Sequence, residues 1–269
     1  MISKRRKNKV AVLAYHRVLS ESDLPNGRLR SPYAMTLASF EKQMYLLVEI
    51  GFQAVTLDEV LSHPDPQAKR VVLTFDDGYV DNYTQAWPVL RHFGFKATFF
   101  VIANRIGSEA FMSWQQLKEM TAAGMAVESH TANHQPLTSL SNGECLHELV
   151  QSRQTIEARL GRPVRFVSFP HGMYDRTVLQ ACRKAGYAGG CNSDFGYFKP
   201  GGDVFKINRF MVKKDYDLKT FSEMVRGRWQ FAVKVGIPKR VKQQVTRLIG
   251  FERYQSLYKK FYGAEETVT

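Results

Sequence analysis

Residues 71–79, Val71-Val72-Leu73-Thr74-Phe75-Asp76-Asp77-Gly78-Tyr79, restrict this chain to few architectures. An apolar run without alternation suits a parallel strand covered on both faces. It ends abruptly in two carboxylates and a glycine. Asp76 and Asp77 then fall at the carboxyl end of the strand, where parallel α/β folds assemble their chemistry. Two neighbouring carboxylates repel unless a cation or a proton relieves them. Gly78 permits a sharp turn and the close approach of a ligand. Asp-Gly is also a common turn pair, so this stretch alone is equally compatible with a plain strand-to-turn boundary.

A second motif, Glu128-Ser129-His130-Thr131-Ala132-Asn133-His134, follows the apolar segment Met125-Ala126-Val127. Two histidines four apart converge on one metal if the chain turns helically after the strand, because i and i+4 share a face. A lone histidine is more often a satisfied polar residue than a ligand. Taken with Asp-Asp after a strand, the pair predicts a site for a divalent transition metal.

The remaining pattern alternates, as a parallel β/α protein requires. Strands are predicted at 9–16, 52–56, 71–76, 97–102, 125–129, 165–169 and 188–191. Helices are predicted at 37–51, 57–62, near 80–93, from Ser113 to Ala123, from Ser141 to Leu160 and at 175–185. Ser141 and Glu144 match a capping box, and Gly161 supplies the stop. Residues 21–36 read as a loop near the mouth of the site.

Thr74-Phe75-Asp76-Asp77-Gly78 and Ser129-His130-Thr131-x-x-His134 resemble the first two motifs of the polysaccharide deacetylases, carbohydrate esterase family 4. Asp81-Asn82-Tyr83, Pro88-Val89-Leu90, residues 94–101, Ser113-Trp114-Gln115-Gln116-Leu117 and Ala123-Gly124 extend the likeness over roughly residues 9–215. The resemblance implies an α/β fold, a distorted, incomplete (β/α)7-type parallel barrel. It also implies removal of N- or O-acetyl groups from sugars with a divalent metal. On this basis Asp76 is the expected general base, and Asp77, His130 and His134 are the expected metal ligands. Zinc is the expected ion, with cobalt or nickel as alternatives suited to two imidazoles and a carboxylate.

The family's third motif is Arg-x-Pro-Tyr-Gly, and Ser168-Phe169-Pro170-His171-Gly172 stands in its place. The oxyanion donor implied there is a backbone N–H, which His171 can still supply. The arginine that orients the base is replaced by Ser168, so another cation, or the metal itself, has to set the pKa of Asp76. The Leu-x-His motif near the C-terminus is absent, since no histidine follows His171. His16, at the predicted carboxyl end of the first strand, is therefore the expected general acid, and His171 is its rival. This arrangement resembles the circularly permuted branch that includes biofilm poly-N-acetylglucosamine deacetylases. A structural histidine bonded to a loop is the plainer reading of His16. His63, His92 and His147 are expected at the surface.

Three scattered cysteines, Cys145, Cys182 and Cys191, have no metal-ligand spacing and read as reduced core residues. The net charge is +13, and residues 199–262 hold 16 Lys and Arg against 5 Asp and Glu. Such a surface attracts anionic lipid or phosphorylated intermediates, while no nucleic-acid motif accompanies it. The segment Val10–Ala14 is too short for a signal-peptide core, and no apolar run is long enough to span a bilayer. A catalytic domain is expected over 1–235, with a basic extension over 236–269. Within that extension, Val241, Val245, Leu248, Ile249, Tyr254, Leu257, Tyr258 and Phe261 recur at helical spacing. This segment reads as a helix against the barrel or a partner-binding tail, or as a membrane-surface helix.

The function expected from all of this is removal of N-acetyl groups from amino sugars of a polysaccharide or its lipid-linked precursor. The place expected is the cytoplasm, with peripheral contact at the inner membrane through residues 238–262. Deformylation, O-acetyl ester hydrolysis, and carbohydrate binding without catalysis are the alternatives.

Overall fold

The computed structural model of the chain describes residues 9–24, 29, 31–65, 67–228, 231 and 235. The predicted helical segment 238–262 and the domain boundary at 235/236 lie outside the described residues or at their edge. The strands are β1 (Ala11–Tyr15), β2 (Arg17–Leu19), β3 (Ala34–Thr36), β4 (Gln53–Val55), β5 (Arg70–Phe75), β6 (Thr98–Val101), β7 (Ala126–Ser129), β8 (Phe166–Ser168), β9 (Gly189–Cys191) and β10 (Phe210–Met211). The helices are α1 (Leu37–Glu49), α2 (Leu57–Ser62), α3 (Trp87–His92), α4 (Trp114–Ala122), α5 (Asn142–Leu160), α6 (Arg176–Lys184) and α7 (Leu218–Arg226).

Eight strands form one parallel sheet in the order β10-β1-β5-β6-β7-β8-β9, with β4 pairing β5 beside that path. The sheet curls into the incomplete (β/α)7 barrel that the resemblance implies. Its seam is thin. Ile207 makes a single parallel bridge to Cys191, the last residue of β9, and Phe210, three residues later, pairs with Leu13 of β1. The segment 207–211 thus joins the two ends of the sheet.

Strand side chains alternate between faces, and the apolar residues separate accordingly into two cores. Leu13, Leu73, Phe75, Phe99 and Val167 join the residues of the surrounding helices in the larger cluster. Val12, Val72, Phe100, Phe166, Cys191 and Ile207 form the inner cluster, which α2 supplements with Leu57 and Val60. Phe75 illustrates the outer layer, stacking on Tyr15 and Phe99 and meeting Phe40 of α1 edge-on.

Helix starts follow the expected chemistry. Thr56/Glu59, Ser113/Gln116 and Ser141/Glu144 are reciprocal capping boxes, and Gly161 ends α5 at φ 67°. Cys145, Cys182 and Cys191 are buried, free thiols, and His63, His92 and His147 are exposed. Three features differ from the sequence reading. Residues 17–19 and 34–36 form a small parallel pair, where 21–36 was expected to be loop throughout. The helix after the Asp-Asp turn opens with a π turn over Asn82–Ala86 before α3. β10, which pairs with β1, and α7 are unmarked by any motif. Among the described residues no helix is long and apolar enough to cross a membrane.

Candidate active site

The inner face of the barrel becomes polar at the carboxyl ends of the strands. His16 follows β1, Asp76 follows β5, His130 follows β7, and Ser168 ends β8. Each continues the alternation of the inner face, so four strands direct polar groups into one space. β1 and β5 run in register through Tyr15 and Phe75, and the Asp76 N–H donates to the Tyr15 carbonyl at 2.9 Å. His16 and Asp76 are therefore neighbours on adjacent strand ends.

Asp76 is 2% exposed and held by a residue the sequence reading missed. Arg209, itself 1% exposed, donates from Nη1 to Asp76 Oδ1 at 2.7 Å and from Nη2 to Oδ2 at 2.8 Å. Nη2 also donates to Ser168 Oγ at 2.8 Å, Nη1 to Thr74 Oγ1 at 3.3 Å, and Nε to the Asn192 carbonyl at 2.9 Å. Ser168 Oγ donates in turn to Asp76 Oδ2 at 3.2 Å. The cation demanded by the loss of the third-motif arginine thus comes from the closing segment, and Ser168 leaves room for it. Burial alone would raise the Asp76 pKa. The Arg209 guanidinium and then His130 overcome this and hold the carboxyl well below the usual carboxylate range. Arg209 was legible only as a charge inside the apolar run Ile207 to Val212. A buried arginine of that kind requires an anionic partner.

Asp77 turns the other way. Its φ is 75° and that of Gly78 is 85°. A side chain at Gly78 would meet Val101 Cγ1 at 3.0 Å, so glycine is required by both conformation and space. The Asp77 carboxylate faces His130 Nε2 at 3.5 Å and His134 Nε2 at 3.6 Å. The histidines meet without a helix, contrary to the expected helical turn. Residues 130–134 form a loop in which Thr131 (φ 66°) and His134 (φ 62°) are left-handed. Thr131 Oγ1 accepts the His134 N–H at 3.0 Å and fixes this turn. Local side-chain bonds of this kind compete successfully with helix formation.

The three residues fit a divalent metal. One ligand atom from each of Asp77, His130 and His134 lies within 4.8 Å of the others. Ligands about 2.0–2.1 Å from a tetrahedral ion are about 3.3–3.4 Å apart, close to the two separations seen here. His130 Nδ1 lies 2.8 Å from the Ser168 carbonyl, which only accepts, so Nδ1 carries the proton and Nε2 presents its lone pair to Asp77. Burial lowers the pKa of His130, and burial together with His130 and His171 brings His134 down to about 2. Both imidazoles are thus neutral, as ligation requires. Burial and then the charge of Asp76 push Asp77 well above the usual carboxylate range, a penalty that a bound cation removes.

His16 is fixed through its backbone. Asn82 Nδ2 donates to the His16 carbonyl at 2.8 Å, and Asp81 accepts the Val18 N–H at 2.9 Å and Arg17 Nε at 2.8 Å. The ring lies against Tyr33, with centroids 5.4 Å apart. Among the described residues its buried Nδ1 has no hydrogen-bond partner, unlike a histidine locked into a loop. Burial lowers its pKa to about 4, with Asp76 pulling upward. His171 sits in the turn after β8 at φ 56°, its ring 4.9 Å from that of His134. Gly172 beside it has no space for a side chain, since a Cβ would lie 2.5 Å from Ser193 Cβ. The structure therefore brings all six expected residues to one rim.

Residues 63–190 match the family model described as polysaccharide deacetylase. A Bacillus subtilis protein, YxkH, whose name places it among the polysaccharide deacetylases, is 32% identical over 223 residues, spanning 81% of this chain and 77% of its own. A poly-beta-1,6-N-acetyl-D-glucosamine N-deacetylase of Staphylococcus aureus is 24% identical over 250 residues, 84% of each chain. The Streptococcus pyogenes deacetylase PplD, solved in complex with acetate, superposes with a TM-score of 0.74 at 26% identity, covering 81% of this chain and 98% of that one. With its Asp-Asp and His-x-x-x-His strand ends on this barrel, the chain belongs to the polysaccharide deacetylase family.

Proposed function

We propose that this chain is a metal-dependent hydrolase that removes N-acetyl groups from amino sugars of a polysaccharide or of its lipid-linked precursor. One observation carries the reading. Two adjacent carboxylates are divided between a guanidinium, which holds Asp76 ionised, and a pair of neutral imidazoles, which leave Asp77 in need of a cation. When bound there, a divalent cation polarises an acetyl carbonyl and lowers the pKa of a water. Asp76 accepts the proton of the attacking water, and Arg209 fixes the carboxylate that does so. The backbone N–H of His171 stabilises the developing oxyanion. His16 is neutral at rest and becomes charged during the reaction. The proton taken up by Asp76, on the adjacent strand end, passes through the His16 imidazole to the leaving nitrogen. The acetic acid released gives its remaining proton to the amine, so amide and water become an ammonium group and acetate.

The basic excess of residues 199–262 supports a phosphate-bearing, lipid-linked substrate handled at the cytoplasmic side of a membrane. Acetate release from N-acetylglucosamine oligomers by the zinc- or cobalt-loaded protein tests the proposal. Asp76→Asn should lose activity by about 10²–10⁴ while retaining metal. His16→Ala should fall by a comparable factor, and full activity in that variant would move the acid role to His171. Failure to release acetate from free or lipid-linked acetylated substrates, with formate released from a formamido sugar, would replace deacetylation by deformylation.

A further inference from the structure

Glu148, in the second turn of α5, takes no part in the chemistry described above, yet it is only 6% exposed. Its carboxylate points at the loop that carries the two histidines. Oε2 accepts the Ala132 N–H at 3.1 Å and the Asn133 N–H at 2.9 Å, and Oε1 accepts from the Asn133 side-chain amide. Asn133 Oδ1 is held in turn by Asn104 Nδ2 at 2.8 Å. From the strand side, Ser129 Oγ accepts the Thr131 N–H at 3.1 Å, and the Thr131 and Ala132 carbonyls accept from Ala103 and Asn104.

These bonds matter because the loop is neither helix nor strand. Buried backbone N–H groups require acceptors, and this loop has no ladder to supply them. Left-handed φ at Thr131 and His134 persists only where the surroundings impose it. Four consecutive amides, from Thr131 to His134, are satisfied by side-chain oxygens, and Glu148 provides the acceptor for the central two. A neutral side chain offers fewer lone pairs to three converging donors.

We propose that Glu148 is a positioning residue for the metal centre. It clamps residues 132–133 so that His134 Nε2 stays beside His130 and Asp77. The inference rests on the metal-site reading above and adds a residue outside the ligand set. Groups that orient metal ligands at one remove typically contribute 10–100-fold to affinity.

The test is zinc and cobalt affinity of the full chain by competition with a chelating dye, alongside the visible spectrum of the cobalt form. Glu148→Ala should weaken binding about 10–100-fold. Glu148→Gln keeps one acceptor oxygen and should lose affinity to a smaller degree, and it carries the test if the alanine variant does not fold. Glu157→Ala is the control. Glu157 lies on the same helix and accepts the Val164 N–H at 3.0 Å, away from the metal loop, so its loss should leave affinity and spectrum unchanged. Wild-type affinity in a folded Glu148 variant, or equal losses in the Glu148 and Glu157 variants, would overturn the positioning role and leave the metal centre standing. Absence of metal binding by the wild-type chain would overturn both.

Discussion

Asp76 is clamped by a guanidinium, whereas Asp77, the next residue, faces two imidazoles and has no ammonium or guanidinium paired with it among the described residues. Both carboxylates are buried to a similar degree, so desolvation acts alike on the two. The sign of the outcome is decided by what lies opposite. Arg209 holds Asp76 ionised at rest, and among the described residues no cationic side chain is paired with Asp77 in this way. A buried carboxylate without a built-in countercharge is stable chiefly as a ligand, and one with a countercharge can hold a fixed orientation during proton transfer. Backbone geometry keeps the two apart, because Asp77 is left-handed and Asp76 continues the strand.

The largest test of this contrast is Arg209→Met. Removing one partner of a buried pair leaves an uncompensated charge, so the variant should lose about 3–5 kcal/mol in urea unfolding. The pH dependence sharpens it. The folded pKa of Asp76 is depressed, so the pair's contribution is complete above its unfolded value near pH 4 and is lost as pH falls through the folded value. Wild type should therefore weaken steeply below about pH 4, and Arg209→Met should lack that limb. Restoring an arginine from the other side, as Arg209→Ser with Ser168→Arg, should recover part of the loss. No recovery would show that the closing segment, and not charge alone, is required.

Asp77 should respond in the opposite sense. Its folded pKa is raised in the metal-free site, so its contribution is present at low pH and is lost as pH rises through the folded value. Metal-free Asp77→Asn should accordingly be more stable than metal-free wild type at neutral pH by about 1–3 kcal/mol. The same variant should bind zinc too weakly to be stabilised by it. Thermal unfolding with and without a chelator measures both effects. Equal stabilities without metal would mean that Asp77 already has a countercharge.

The smallest effect belongs to the His16 side of the rim. Asn82→Ala removes one hydrogen bond to the His16 carbonyl, worth about 1 kcal/mol. Turnover should drop by up to about tenfold with metal affinity unchanged. A loss of metal affinity in this variant would show that the His16 rim and the metal loop are one unit.

The parts of the site that were legible in the sequence are those whose physics is local. An apolar run ending in Asp76-Asp77-Gly78 marks a strand end, and two histidines four apart mark rings that meet wherever the chain curls. The curl itself was misread. Helical spacing brings i and i+4 together, but the left-handed loop at Thr131 and His134 does so equally well. Spacing reports that two residues are near, and does not report which backbone conformation brings them there. The capping boxes and most strands were likewise readable, because each depends on residues three or four positions apart. The two-residue β10 was not, since its pairing is made by partners remote in the chain.

The sequence by itself determined the fold class, the family, the carboxylate pair and the histidine pair, through motifs whose meaning is carried by adjacent residues. Only the tertiary structure decided which cation holds Asp76, which groups fix His16, and what clamps the histidine loop. Arg209 lies 133 positions from Asp76 and Glu148 lies 15 from Asn133. A buried charge or an unsatisfied amide announces in sequence that a partner is needed. Which partner arrives is settled by the order of strands around the barrel and the helix that packs behind each one, and no local propensity encodes that.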